Sequence, residues 1–120
     1  MNLELRNGLL FTSLKINYLG TEKIINNIVV DTGAAETLIS PDTVLDIGIE
    51  AINSDSVNSY YGIGGDLHNF FSKKIGFIEI DNVRIDHIKL DFGVIDPAGD
   101  INGLLGLDIL LQLEAQIDLK

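Results

Sequence analysis

Glycines interrupt this 120-residue sequence so often that all of its apolar segments are short. Twelve glycines and two prolines separate runs rich in isoleucine, valine and leucine, and hydrophobic residues make up 46% of the chain. Short apolar runs bounded by turn residues are typical of all-β proteins. We therefore predict an all-β fold with one or two short helices. The length fits one domain over residues 1–120, since a domain typically has ~100–200 residues.

Two strands are predicted before the middle of the chain. Apolar and polar residues alternate over residues 14–18, the period of two expected of a strand with one buried face. A turn at Gly20 and Thr21 follows. The second strand runs from about residue 23 to residue 30 and ends in a β-branched run. This strand leads directly into Asp31, which is therefore expected to emerge from rigid structure.

Two short helices are indicated by their boundary residues. Ser40 is a predicted N-cap, Pro41 suits the first helical position, and Gly48 suits the end of the helix. The leucine-rich residues 104–113 favour a C-terminal helix that begins near Gly106.

Further strands are predicted over residues 75–80 and 83–92. Asp81-Asn82 joins them, a pair that tolerates the left-handed conformations of a two-residue hairpin turn. The apolar phase slips within the second of these strands, which predicts a bulge or break near Asp86-His87. A last strand is predicted over residues 116–119.

The charge of the chain excludes several classes of partner. Eighteen acidic residues and eight basic ones give a formal net charge of −10 and a pI near 4.3. Because this charge repels phosphate, we expect neither nucleic acid nor an anionic membrane as a partner. Glu4 and Arg6 precede any apolar stretch, and no segment approaches the ~18 apolar residues of a membrane span. We expect a cytoplasmic protein.

The reactive side chains are mainly carboxylates. The sequence contains no cysteine, which excludes disulfides, thiol nucleophiles and Cys-ligated metals. The two histidines, His68 and His87, do not form a metal-binding or triad pattern. We therefore predict no metal and no cofactor.

Three segments stand out for their chemistry. Asp-Thr-Gly-Ala-Ala-Glu-Thr-Leu-Ile-Ser begins at Asp31, directly after the β-branched strand. A glycine-rich run, Tyr-Tyr-Gly-Ile-Gly-Gly, begins at Tyr60. Ile-Asn-Gly-Leu-Leu-Gly-Leu-Asp-Ile-Leu covers residues 101–110. Together, the order and spacing of the three segments form a pattern specific enough to be compared with known protein families.

In these three segments, the chain resembles the retropepsin-like aspartic proteases, and more closely their cellular and bacterial branch than the retroviral one. The resemblance implies a single-lobe acid-protease barrel that pairs as a two-fold homodimer. It also implies an aspartic endopeptidase acting on peptide or protein substrates, with Asp31 as its catalytic residue. Thr32, Gly33 and Ala34 would support the active-site loop.

A dimer is also what the chemistry requires. An aspartic protease holds one water between two carboxylates that share a proton, and this chain has one Asp-Thr-Gly motif. We therefore expect Asp31 of two subunits to meet at a two-fold axis. Ala34 has no hydroxyl with which to hydrogen-bond ionised Asp31, so we expect activity to be highest in mildly acidic solution.

The resemblance also assigns residues that would touch substrate. The predicted flap over the peptide cleft consists of Tyr61, Gly62, Ile63, Gly64 and Gly65. An ordinary glycine-rich hairpin is the other interpretation of this run.

The downstream apolar segment has both structural and binding interpretations. Leu104 is a predicted wall of the cleft, although core packing explains it equally well, and Leu105 is expected to lie in the core. Asp108 is expected to cap or pair locally.

The retroviral pattern has an acid and an arginine where this chain has Ala35 and Leu107, so that ion pair is missing. The alternative function is a catalytically silent dimeric domain of the same fold that binds peptide or assembles subunits.

Overall fold

The computed structural model describes residues 3–52, 57–61, 67–95 and 100–113. Within these ranges, ten strands form one sheet, accompanied by one short α-helix and two 3₁₀ turns. The strands are β1 (Glu4–Arg6), β2 (Leu9–Tyr18), β3 (Thr21–Val30), β4 (Leu38–Ile39), β5 (Val57–Tyr61), β6 (Leu67–Lys74), β7 (Phe77–Ile80), β8 (Val83–Asp86), β9 (Lys89–Gly93) and β10 (Gly103–Leu105). The helix α1 is Leu107–Gln112, and the 3₁₀ turns are Pro41–Thr43 and Leu45–Ile47. The predicted all-β fold with short helices is confirmed.

The sheet places strands from distant parts of the sequence side by side. Its order is β5-β6-β9-β4-β10-β3-β2-β7-β8, and β1 pairs with β2. Most neighbours are antiparallel, but β10 runs parallel to β3 and β4 runs parallel to β9. No helix in the described part of the chain is long and apolar enough to cross a membrane.

The hairpin of β2 and β3 turns one residue earlier than the sequence predicts. Leu19 and Gly20 both have left-handed backbone angles, with φ of 50° and 88°, and they join the paired residues Tyr18 and Thr21. Two left-handed residues are what a tight hairpin turn with the twist of its strands requires. Thr21 is therefore the first residue of β3 and not part of the turn.

The hairpin of β7 and β8 and the break after it match the sequence prediction. Ile80 pairs with Val83 across the Asp81-Asn82 turn, where Asp81 has a φ of 53°. His87, also with a φ of 53°, separates β8 from β9, and its backbone N–H donates to the carbonyl of Gly76 at 2.8 Å. This break moves the apolar residues of β9 onto the core side of the sheet.

The segment after Ser40 differs from the predicted single helix. It forms two 3₁₀ turns that end at Gly48, which has a φ of 89°, and the side chain of Ser40 makes no capping hydrogen bond. Instead, the carbonyl of Ser40 accepts hydrogen bonds from the backbone N–H and the hydroxyl of Thr43. Val44, between the two turns, is fully buried, so the chain follows the core surface instead of continuing one helical axis.

One apolar cluster holds the sheet together. The rings of Phe71 and Phe92 stack with their centroids 5.3 Å apart. Around this pair lie fully buried side chains from the central strands and from α1, among them Ile28, Ile39, Leu105 and Ile109.

Strand β10 lies between the two strands that flank the segment beginning at Asp31. It pairs with the end of β3 on one side and with β4 on the other. A Cβ atom on Gly103 would lie 2.7 Å from the Cδ1 atom of Ile28 and 2.9 Å from that of Ile39, so a larger residue here would displace the ends of both side chains. Helix α1 begins after Gly106, as predicted. The strand predicted over residues 116–119 lies outside the described residues.

Candidate active site

Asp31 is the first residue after β3, and the backbone fixes its position. Its N–H donates a hydrogen bond of 3.0 Å to the carbonyl of Leu105, which extends the pairing of β3 with β10. Its own carbonyl accepts the N–H of Ala34 at 3.2 Å, closing a tight turn. The residue is half-buried.

The carboxylate of Asp31 is oriented by its own loop. The backbone N–H of Gly33 donates to Asp31 Oδ1 at 2.9 Å. A Cβ atom on Gly33 would lie 3.2 Å from the same oxygen, which is tighter than ordinary van der Waals contact. Thr32 and Gly33 are exposed, whereas Ala34 is half-buried. An oriented, accessible carboxylate at a strand end is suited to general acid–base chemistry.

Backbone hydrogen bonds from the beginning of α1 hold the rest of the loop. The N–H of Leu107 donates to the carbonyl of Ala34 at 2.9 Å, and the N–H of Asp108 donates to the carbonyl of Ala35 at 3.1 Å. Ala35 and Leu107, the two positions at which the retroviral ion pair is missing, thus both take part in main-chain hydrogen bonds. A Cβ atom on Gly106 would lie 2.7–2.9 Å from backbone atoms of Glu36 and Ala34, so the two segments are in close contact.

Thr37 is a loop residue whose role the sequence analysis missed. Its side chain is 1% exposed, and its hydroxyl accepts the N–H of Gly106 at 3.0 Å and donates to Asp108 Oδ1 at 2.7 Å. The same oxygen of Asp108 accepts the N–H of Ile109 at 2.8 Å, so the predicted local pairing of Asp108 is confirmed. Asp108 does not cap α1, whose N-cap is Gly106, and its partner Thr37 lies 71 positions away in the sequence. The sequence signal that could have indicated this role is a hydroxyl residue directly before the short strand β4.

A group of carboxylates lies beside the loop. A side-chain hydrogen bond between Glu36 and Asp91, and the negative charge of Asp91, raise the pKa of Glu36 above its usual 4.5. Slight burial and the charge of Asp108 add to this increase, whereas Lys89 opposes it. The hydroxyl of Ser72 donates to Asp91 Oδ1 at 2.6 Å.

The two leucines of β10 differ in burial. Leu105 is fully buried in the core, as predicted. Leu104 is half-buried, and it pairs with Val29 of β3 and Leu38 of β4. Its assignment to a cleft wall stays a prediction.

The predicted flap falls mainly outside the described residues. Tyr61 is the last residue of β5 and pairs with Leu67, the first residue of β6, in an antiparallel hairpin. The other predicted flap residues, Gly62, Ile63, Gly64 and Gly65, are not among those that the structure describes.

Two further observations concern metal binding and a second cavity among the described residues. Within the described ranges, no three histidine, aspartate or glutamate side chains are grouped so that they would hold a metal ion. A separate cavity of about 700 Å³ lies between β1 and the adjoining faces of β2 and β3, with Arg6, Lys15 and Glu79 in its wall. Asp31 is not part of that wall.

Several solved structures share this fold. A retropepsin-like aspartic protease from Rickettsia conorii matches with a TM-score of 0.69 and 18% identity, over 96% of this chain and 88% of that one. EIAV protease, solved in complex with an inhibitor, matches with a TM-score of 0.66 and 24% identity, over 99% and 98% of the two chains. The retroviral protease-like domain of Ddi1 from Leishmania major matches with a TM-score of 0.60 and 16% identity, over 92% and 82%. These likenesses confirm the predicted retropepsin-like fold.

Sequence comparison assigns the family. A search of curated proteins found no match. The family model described as "Aspartyl protease" matches residues 13–109, which extend from β2 through the Asp31 loop to the beginning of α1. Since this match covers most of the sequence, the chain belongs to the aspartyl protease family.

Proposed function

We propose that this protein is a homodimeric aspartic endopeptidase in which Asp31 of each subunit provides one carboxylate of the catalytic pair. The observation that carries the proposal is the loop geometry. The Asp31 carboxylate is accessible, it accepts the Gly33 N–H, and its main chain is tied to Leu105 of β10. Membership of the aspartyl protease family supports the same assignment.

The reaction needs two carboxylates with different protonation states. The ionised Asp31 of one subunit takes a proton from a water molecule, and the water oxygen attacks the peptide carbonyl carbon. The protonated Asp31 of the other subunit gives its proton to the carbonyl oxygen. When the tetrahedral intermediate collapses, the carboxyl that received the water proton gives it to the amide nitrogen, the other carboxylate takes a proton from a hydroxyl of the intermediate, and the C–N bond breaks to release the acid and the amine. Because the sequence has a single Asp-Thr-Gly motif, the second carboxylate comes from a second copy of the chain.

The other predicted residues have supporting roles in this proposal. Exposed Thr32 hydrogen-bonds across the dimer axis, and Gly33 lets the substrate backbone approach Asp31. Tyr61, together with Gly62 to Gly65, covers the bound peptide as a flap, and Leu104 contributes to the cleft wall. An extended peptide then lies between the flaps and the two Asp31 loops.

The test compares the parent protein with Asp31→Asn. Asparagine keeps the shape of the side chain and an oxygen that can accept the Gly33 N–H, so the fold is retained. Both proteins are incubated with a complex peptide mixture in mildly to strongly acidic buffers, and new termini are identified by mass spectrometry. We expect cleavage by the parent alone. Equal cleavage by both proteins would contradict the role of Asp31.

A mixing experiment tests the two-chain site. After subunit exchange between equal amounts of parent and Asp31→Asn, about one quarter of the dimers contain two parent chains, and activity falls to about one quarter of that of parent protein at the same total concentration. Activity of about one half would show that each chain acts independently, and activity of about three quarters would show that one Asp31 per dimer suffices. If the parent binds peptides without cleaving them, the catalytically silent domain is the better description.

A further inference from the structure

A buried hydroxyl links the Asp31 loop to the junction of β10 and α1. Thr37 uses its hydroxyl twice, accepting from the backbone N–H of Gly106 and donating to the carboxylate of Asp108. These hydrogen bonds are 3.0 and 2.7 Å long, and Thr37 is 1% exposed. Thr37 and Asp108 are separated by 71 positions in the sequence.

The carboxylate of Asp108 completes this link. Its Oδ1 accepts both the Thr37 hydroxyl and the backbone N–H of Ile109 in the first turn of α1. Hydrogen bonds to an ionised acceptor are stronger than neutral ones, and breaking one here would leave a buried hydroxyl unsatisfied. The arrangement therefore fixes Thr37 relative to α1.

Gly106 is the residue through which this link reaches Asp31. The residue before it, Leu105, accepts the N–H of Asp31, and the residue after it, Leu107, donates to the carbonyl of Ala34. Both ends of the Asp31 turn are thus bound to the immediate neighbours of Gly106. A shift of Gly106 would move the turn at both ends.

We infer that Thr37 is a positioning residue for Asp31, acting with Asp108 through Gly106. The inference rests on the proposed function, since it concerns where the catalytic carboxylate is held. In a symmetric dimer, a displacement of the Asp31 carboxylate in one subunit also occurs in the other. Both carboxylates are then misplaced relative to the water that they share. A misplacement of about 1 Å can cost ~100-fold in rate.

The principal variants are Thr37→Val and Thr37→Ser. Valine has nearly the shape of threonine but removes both hydrogen bonds, whereas serine keeps the hydroxyl. Asp108→Asn, which retains an oxygen able to accept both hydrogen bonds, and Asp108→Ala form a second matched pair. All four are studied well below their melting temperatures, with kcat expressed per folded dimer.

For Thr37→Val and Asp108→Ala, we expect kcat to fall about 10- to 100-fold while KM changes less than about threefold. Thr37→Ser and Asp108→Asn should stay within about fivefold of the parent kcat. A merely structural residue would lower the melting temperature without changing kcat per folded dimer. An unchanged kcat in Thr37→Val would overturn the inference.

Amide hydrogen exchange gives a readout that does not depend on activity. We expect Thr37→Val to accelerate exchange at the amides of Asp31 and Gly33, and Thr37→Ser to leave their exchange rates unchanged. The amides of Ile16 and Ile25 in the β2–β3 hairpin serve as controls. Faster exchange in a protein without peptidase activity would uphold the positioning and reject the proposed function. Unchanged exchange at Asp31 and Gly33 would reject the positioning, whatever the activity.

Discussion

The backbone N–H of Gly33 donates a 2.9 Å hydrogen bond to Oδ1 of Asp31. The donor belongs to the same short loop as the acceptor, so the carboxylate is oriented within a single chain before any partner is present. In the proposed dimer, association has to bring two oriented carboxylates together and does not have to orient them. Preorganisation of this kind lowers the cost of reaching the reactive geometry.

Gly33→Ala is expected to impair activity more than stability. The added Cβ atom would lie 3.2 Å from Asp31 Oδ1, and either the carboxylate or the loop has to move. We expect kcat to fall about 10-fold or more. Steady-state kinetics and thermal unfolding, measured on the same preparation, check this. Parent-like kinetics would show that the loop accommodates the methyl group without displacing Asp31.

Gly106→Ala is expected to destabilise the folded protein. Its Cβ atom would meet backbone atoms of Glu36 at 2.7 and 2.8 Å, and backbone cannot swing aside as a flexible side chain can. Overpacking of this kind typically costs about 1–3 kcal/mol. Urea unfolding of the parent and the variant gives the difference in the free energy of unfolding. A stability loss below about 0.5 kcal/mol would contradict the close approach of the two segments.

Glu36→Gln should change how stability depends on pH. The pKa of Glu36 is raised in the folded state, so the folded protein holds this proton more tightly than the unfolded chain does. The resulting stabilisation is fully present below the usual value of 4.5 and is lost as pH rises through the folded-state pKa. Glutamine cannot ionise and cannot repel Asp91. We therefore expect the variant to gain stability relative to the parent as pH rises towards neutrality.

Melting temperatures at several pH values between about 4 and about 7 test this expectation. Glu50→Gln is the control, because Glu50 lies on an exposed stretch outside the group formed by Glu36, Asp91 and Asp108. If the difference between Glu36→Gln and the parent is the same at every pH, the coupling between Glu36 and Asp91 is absent.

Phe92→Ala should destabilise the sheet beneath the loop. Phe92 is fully buried in β9 and stacks on Phe71, and removing such a ring typically costs about 3–5 kcal/mol. Val94→Ala, at a position 48% exposed shortly after β9, should change stability by less than about 1 kcal/mol. Chemical unfolding of both variants measures the contrast. Equal losses would place Phe92 outside the core.

The sequence allowed the residues of the loop to be predicted because they form a local pattern. The β-branched run before Asp31 specifies β3, and the glycine that follows Leu105 marks the start of α1. Patterns of this kind act over a few residues, where backbone preferences and periodicity are informative. The break at His87 was predictable for the same reason, since the apolar phase changes at that point.

The contacts that hold the loop were not predictable in the same way. The hydroxyl of Thr37 accepts a hydrogen bond from Gly106, which lies 69 positions away in the sequence, and no local pattern specifies that pair. The turn at Leu19 was also misplaced, because leucine rarely adopts a left-handed φ and the pairing of β2 with β3 overrides that preference. In both cases, the tertiary context decides the local structure.

The location of β10 between β3 and β4 also has a consequence for biosynthesis. A ribosome completes residues 31–39 long before it reaches Gly103, so the emerging chain contains Asp31 without the strand that fixes its backbone. Contacts between residues so far apart in sequence form late and slow the folding of a small domain. A chain that has not yet reached β10 therefore lacks the strand that fixes Asp31, and a protein able to cut peptides would acquire that ability only after β10 has been synthesised.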